Sequence, residues 1–100
     1  MRNFIPVSEP LLDGNELSYL TEAIQTGWIS SEGPFVKRFE DQYAASVNRK
    51  HGISVSNGTA ALEIAVRAAG ILPGDEVIMP TLTIISCAQA VVNAGGIIVP

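Results

Sequence analysis

The stretch His51–Arg67, HGISVSNGTAALEIAVR, decides how the chain reads. Ile53-Ser54-Val55-Ser56 alternates apolar and polar residues as a short strand does, and Asn57-Gly58-Thr59 turns it into a helical pattern. A strand, a tight polar turn and a helix aim backbone N–H groups at whatever lies before the helix. The first turn of a helix has four N–H groups without intrahelical partners and carries the positive end of the dipole. A phosphate placed there gains from both. Gly58 lets a ligand approach the backbone with no Cβ in the way, and the Thr59 hydroxyl adds a side-chain donor. Beyond the turn, Ala60, Ala61, Leu62, Ile64, Ala65 and Ala68 make a broad apolar surface, which predicts a helix buried against a sheet. Asn and Gly before a helix are also ordinary capping residues, so the turn alone does not define a ligand. Neither Gly-x-Gly-x-x-Gly nor Gly-Lys-Ser/Thr occurs, which excludes the dinucleotide fingerprint and the Walker loop.

The rest of the composition narrows the class. With 100 residues, 47% hydrophobic and 16% charged, the chain is suited to one small folded domain with a modest core. A net charge of −4 without a basic stripe argues against charge-driven binding to nucleic acid or to an anionic membrane. Cys87 is the single cysteine and can form no internal disulfide, which suits a reducing, cytoplasmic setting. The opening MRNFIPVSEPLLDG has no long apolar run, so no secretory signal is expected. No charged residue follows Glu76. A membrane span could have that length, but Pro80, Gln89, Asn93 and Gly95-Gly96 interrupt it. A helix and a strand buried in an α/β core explain the run better. So apolar a sheet, ending at Pro100, reads as the N-terminal piece of a longer protein.

In chain order, Pro6 and Pro10 keep the first twelve residues extended. Asp13 with Glu16 predicts a capping box, Leu17, Leu20 and Ile24 one helix face, and Gly27 its end. Trp28 lies in a turn beside Ser30, Ser31 and Gly33-Pro34, either as a packing wedge or as the wall of a ligand site. Pro34 opens a second helix whose Phe35, Val36, Phe39, Tyr43 and Val47 predict core packing. His51 has no Cys or His at ligand spacing, so a metal role is not expected. Pro73-Gly74-Asp75 is a turn, Glu76–Met79 a strand, and Thr81 or Thr83 a cap for a helix reaching Asn93. Gly95-Gly96 ends that helix, and Ile97-Ile98-Val99 is a further strand. The expected architecture is an α/β fold: residues 1–51 form an extended arm and two helices, and residues 52–100 a β-α-β-α-β unit. Its crossovers imply parallel strands with ligands at their carboxyl ends, where the turns 56–59 and 80–84 lie.

These residues resemble a known family. Val55-Ser56-Asn57-Gly58-Thr59-Ala60-Ala61-Leu62, followed by Gly70-Ile71-x-Pro-Gly-Asp-Glu-Val-Ile-x-Pro-Thr-x-Thr, is similar to the DegT/StrS family. Pro6-Val7 and Gly27-Trp28-Ile29-Ser30-Ser31-x-Gly33 match the same family's N-terminus. The resemblance covers essentially the whole chain. It implies the N-terminal part of the large domain of a fold-type I, pyridoxal-phosphate-dependent aminotransferase acting on sugar nucleotides, closest in pattern to the enzymes of 4-amino sugars. It further implies that Gly58, Thr59 and the Ala60 backbone hold the cofactor's phosphate. Ile84 then stands where the family usually stacks an aromatic on the cofactor ring, and Trp28 and Ser30 lie near the sugar-nucleotide pocket.

The implied reaction moves an amino group from an amino acid, glutamate above all, to a 4-keto-6-deoxy sugar nucleotide, as in the building of O-antigen and other surface polysaccharides. A homodimer is implied for the complete protein, with neither nucleic acid nor membrane as partner. Such chemistry needs a lysine. Only Lys37 and Lys50 are present, and neither has the family's lysine context, so the isolated chain is expected to be inactive. Two readings from other classes stand beside this one: a non-catalytic α/β module that grips a phosphate-bearing ligand, and an inactive structural fragment.

Overall fold

The structure is a computed structural model that describes residues 4–100, in two compact units that meet between Gly52 and Ile53. In the first unit, α1 (Glu16–Thr26) is followed by α2 (Pro34–Ser46). Gly27 ends α1 at φ 75°, and its N–H donates to the Ile24 carbonyl, the left-handed stop that glycine adopts most easily. Pro34 occupies the first turn of α2, where its missing N–H is no loss. The two helices meet at Tyr19, whose ring lies 5.5 Å from that of Phe35 and whose hydroxyl accepts from Arg38 Nη2 at 3.1 Å. Gly52 closes the unit against α2: a Cβ there would lie 2.6 Å from the Glu40 carbonyl oxygen, so only glycine fits.

The second unit runs α3 (Gly58–Ala68), β1 (Glu76–Ile78), α4 (Ile85–Asn93) and β2 (Ile97–Val99). The strands pair in parallel, with Glu76 opposite Ile97 and Ile78 opposite Val99, and α4 is the crossover between them. Leu72-Pro73-Gly74-Asp75 leads into β1 as a turn with Pro first and Gly74 at φ 94°, closed by Asp75 N–H to Leu72 O at 3.0 Å. The Asp75 carboxylate accepts the Leu72 N–H at 2.8 Å. After α4, Gly96 N–H donates to Val91 O and Gly95 N–H to Val92 O, with Gly95 at φ 87°. This is the paired Schellman closure, and it delivers the chain directly into β2. The two turns are joined, because Gly74 N–H donates to Gly95 O at 3.0 Å. The buried centre of this unit is Ala90 and Val91, on α4. Helix α3 lies along α4, tied to it by Asn93 Nδ2 donating to Glu63 Oε1 at 2.8 Å.

Several sequence expectations change here. Residues 53–56 are not part of the sheet, which among the described residues consists of β1 and β2, and Ile53 is largely exposed. The described unit is therefore α-β-α-β. Helix α3 holds no buried residue, because two strands of three residues each are too small to cover its apolar side. The Asp13 capping box does not form: α1 begins two residues later, after Asn15, and the Glu16 carboxylate reaches back to the Gly14 N–H at 2.9 Å. Neither Thr81 nor Thr83 caps α4, whose N-cap is Ile84. The Thr83 hydroxyl meets the Cys87 thiol at 3.5 Å instead of a backbone amide. The aromatic stripe of α2 is not core, since Phe39 and Tyr43 stack on each other at 5.7 Å and remain more than half exposed. Among the described residues, no helix is long and apolar enough to cross a membrane.

Candidate functional site

The first turn of α3 is prepared by Asn57. Its backbone is extended, its carbonyl accepts from Ala61 N–H at 3.1 Å, and its Oδ1 accepts from Ala60 N–H at 2.9 Å. The Nδ2 of the same side chain donates to Ser56 Oγ at 3.3 Å, which holds the carboxamide in place. One consequence bears on the expected phosphate grip. The Ala60 amide is already engaged by Asn57, so the amides left facing outward at this corner are those of Gly58 and Thr59. Gly58 stands in open space, with no atom within 4 Å of the Cβ it lacks. No acidic residue occupies the first turn of α3 or of α4. The partial positive charge of both helix starts thus meets no side-chain carboxylate within the first turn.

The two starts are brought together by one hydrogen bond. Thr59 Oγ1 donates to Ser86 Oγ at 3.0 Å in a part-buried position, across 27 residues of chain. Each hydroxyl is on the second residue of its helix. Ser86 had no place among the expected site residues. Nothing in a linear reading marks it, since only the parallel β1-α4-β2 crossover carries the start of α4 to the start of α3. Two residues before it, Ile84 holds an extended backbone at the N-cap of α4 and is 67% exposed, leaving its aliphatic face free to meet a ligand.

Trp28 and Ser30 belong to the first unit. Trp28 is 52% exposed and, with Tyr19, Leu20, Ala23, Phe35 and Phe39, lines an apolar cavity of about 520 Å³ between α1 and α2. Gly33 lies beside Trp28, and a Cβ added there would make only ordinary contact with the Trp28 side chain, at 3.5 Å from its Cβ. Ser30 Oγ is turned into its own loop toward Glu32 O, at 3.4 Å. Neither lysine is arranged as a nucleophilic amine. Lys37 Nζ binds both carboxylate oxygens of Asp41 at 2.9 and 2.8 Å, and that hydrogen bond with the Asp41 charge raises its pKa above the ordinary 10.5. Lys50 is exposed on the chain before Gly52.

Solved structures with this fold define the class. NtdA of Bacillus subtilis, with the cofactor PMP bound, superposes with a TM-score of 0.72 at 36% identity, over 83% of this chain and 19% of that one. An aminotransferase of Psychrobacter cryohalolentis gives 0.76 at 31% identity, over 94% and 24%. A candidate sugar aminotransferase of Streptococcus pneumoniae in its PLP form gives 0.81 at 29% identity, over 95% and 24%. The fold is that of the fold-type I aminotransferases, whose cofactor is pyridoxal phosphate. Residues 10–100 match the DegT/DnrJ/EryC1/StrS aminotransferase family, and the chain belongs to it. Among its relatives, GDP-perosamine synthase of Vibrio cholerae is 48% identical over 93 residues, 93% of this chain and 25% of the relative. GDP-perosamine synthase of Caulobacter vibrioides is 50% identical over 91 residues, 91% of this chain and 24% of the relative. The chain spans about a quarter of the length of the curated relatives it matches.

The residues present fit the phosphate end of that cofactor. Two amides without partners among the described residues, a glycine with open space before it, and a hydroxyl at the start of a helix make an anion cradle.

Proposed function

We propose that these residues form the phosphate-gripping corner of a sugar-nucleotide aminotransferase. Gly58 and Thr59 donate their amides, and Thr59 its hydroxyl, to the cofactor's phosphate. Ala60 contributes through the turn that its amide closes with Asn57. Ile84 covers one face of the cofactor ring by dispersion alone, without the quadrupole-guided contact an aromatic would add. Trp28 and Ser30 serve the sugar nucleotide, a role supported by the half-exposed indole at the edge of an apolar cavity. When bound, the cofactor supplies the electron sink that lets an amino group pass between donor and acceptor. The protein's share at this corner is to hold the dianion at a fixed place and keep it aligned with the helix dipole.

The reaction is transfer of an amino group from an amino acid, glutamate first, to a 4-keto-6-deoxy sugar nucleotide for a surface polysaccharide. The names of the relatives make the GDP-linked sugar the substrate to test first. The working protein is a cytoplasmic homodimer without nucleic-acid or membrane partners. The 100 residues alone are expected to be inactive, because neither Lys37 nor Lys50 stands in the family's lysine context. The observation that carries this reading is the open start of α3 at Gly58 and Thr59. It is tested by adding pyridoxamine phosphate to the full-length protein and following the bound phosphate by phosphorus NMR. Gly58→Asp, which places a carboxylate at the cradle, should abolish the bound signal while leaving the circular dichroism unchanged. An unaltered bound signal would refute the assignment.

A further inference from the structure

We infer that Ser86 is a positioning residue for the cofactor's phosphate, acting through Thr59; this rests on the reading that the phosphate lies at the start of α3. The observation is the 3.0 Å bond between the two hydroxyls. A hydroxyl has one proton and two acceptor lone pairs. As the pair stands, Thr59 donates to Ser86, so the Thr59 proton is directed toward α4 and its lone pairs are what remain for a ligand. Lone pairs repel a phosphate. A dianion at the Gly58 and Thr59 amides therefore reverses the pair: Ser86 becomes the donor to Thr59 Oγ1, and the Thr59 proton turns to a phosphate oxygen.

The reversal exchanges one donor for another without moving a heavy atom, and it adds a benefit. A hydroxyl that accepts a hydrogen bond is polarised and donates more strongly. Ser86 also holds the Thr59 side chain in one rotamer before the ligand arrives, so less freedom is lost on binding. Both residues are at the second position of helices whose first turns hold no acid, so the relay runs from one positive helix start to the other. Ser86 itself does not touch the phosphate.

The test is a set of titrations of the full-length protein with pyridoxamine phosphate, reading its Kd, with phosphorus NMR of the bound form and melting temperature without ligand. Ser86→Ala should weaken binding about fivefold, the scale of one net hydrogen bond, and shift the bound phosphorus resonance. Ser86→Thr should restore both. Thr59→Val should weaken binding at least as much, and adding Ser86→Ala to it should weaken binding no further. A full Ser86→Ala effect persisting beside Thr59→Val would show direct contact and overturn the inference. So would a lowered melting temperature with an unchanged Kd, the mark of a merely structural bond. Failure of the underlying reading looks different: Gly58→Asp and Thr59→Val would both leave Kd unchanged, and the role of Ser86 would fall with it.

Discussion

The starts of α3 and α4 lie one hydrogen bond apart and are built in opposite ways. At α3 an asparagine caps the helix, closes on the Ala60 amide and is itself held by Ser56. At α4 the cap position is Ile84, whose side chain can accept nothing, and the nearby Thr83 hydroxyl is spent on a thiol. One start is finished by its own sequence and can present its remaining amides in a fixed direction. The other relies on its neighbours for placement. The contrast lies in the cap: Asn57 engages the Ala60 amide and so fixes the direction of the two amides before it, which Ile84 cannot do for α4.

Breaking the finished start should give the largest effect. Gly58→Asp keeps the fold, because open space surrounds the missing Cβ, yet it should weaken binding of pyridoxamine phosphate by more than about a hundredfold by setting a carboxylate against the phosphate dianion. Calorimetric titration of the full-length protein reads this directly. Next comes Gly95→Ala, which forces a side chain into φ 87° with Pro73 atoms 3.2 Å away; a loss of about 2 kcal/mol in urea unfolding is expected. Gly27→Ala has a similar φ of 75° but open space around it, so it should lose only about 1 kcal/mol.

Asn57→Ala should cost about 1 kcal/mol of stability, the worth of an N-cap. The reciprocal change, Ile84→Asn, should add a cap that α4 lacks and raise the melting temperature, sharpening the contrast between the two starts. The smallest effect belongs to Asp41→Asn. The Lys37–Asp41 pair is solvent-exposed on both sides, so the melting temperature at neutral pH should not move measurably. Because the pKa of Lys37 is raised in the folded state, whatever the pair contributes is present below its ordinary 10.5 and disappears as pH rises through the higher folded value. Any difference between the two proteins in a pH series of melting curves should therefore be confined to pH below that range and vanish above it.

What could be read before the structure was local in character. Gly27, Pro34, the Pro73-Gly74 turn, the Gly95-Gly96 stop and the strand Ile97–Val99 each carry their own chemistry within a few residues, and the structure has each of them. What could not be read depended on partners. Ile53–Ser56 has the alternation of a strand but no sheet neighbour here. Asp13 and Thr83 have cap chemistry, but helix starts are displaced by one or two residues, and a cap works only at one position. The turn at Asn57-Gly58-Thr59 was legible as the start of a helix, whereas the Ala60 amide's engagement by Asn57 and the Ser86 contact were not. Both arise from where a side chain points, and periodicity holds no such information.

The bond between Gly74 N–H and Gly95 O, with Gly95 packed against Pro73, locks the two approaches to the sheet at a common level. Sequence drift should therefore respect the spacing of these two bends to the residue. Lengthening either by one would slide β1 against β2, invert the outward and inward rows of one strand, and carry the start of α4 out of reach of α3.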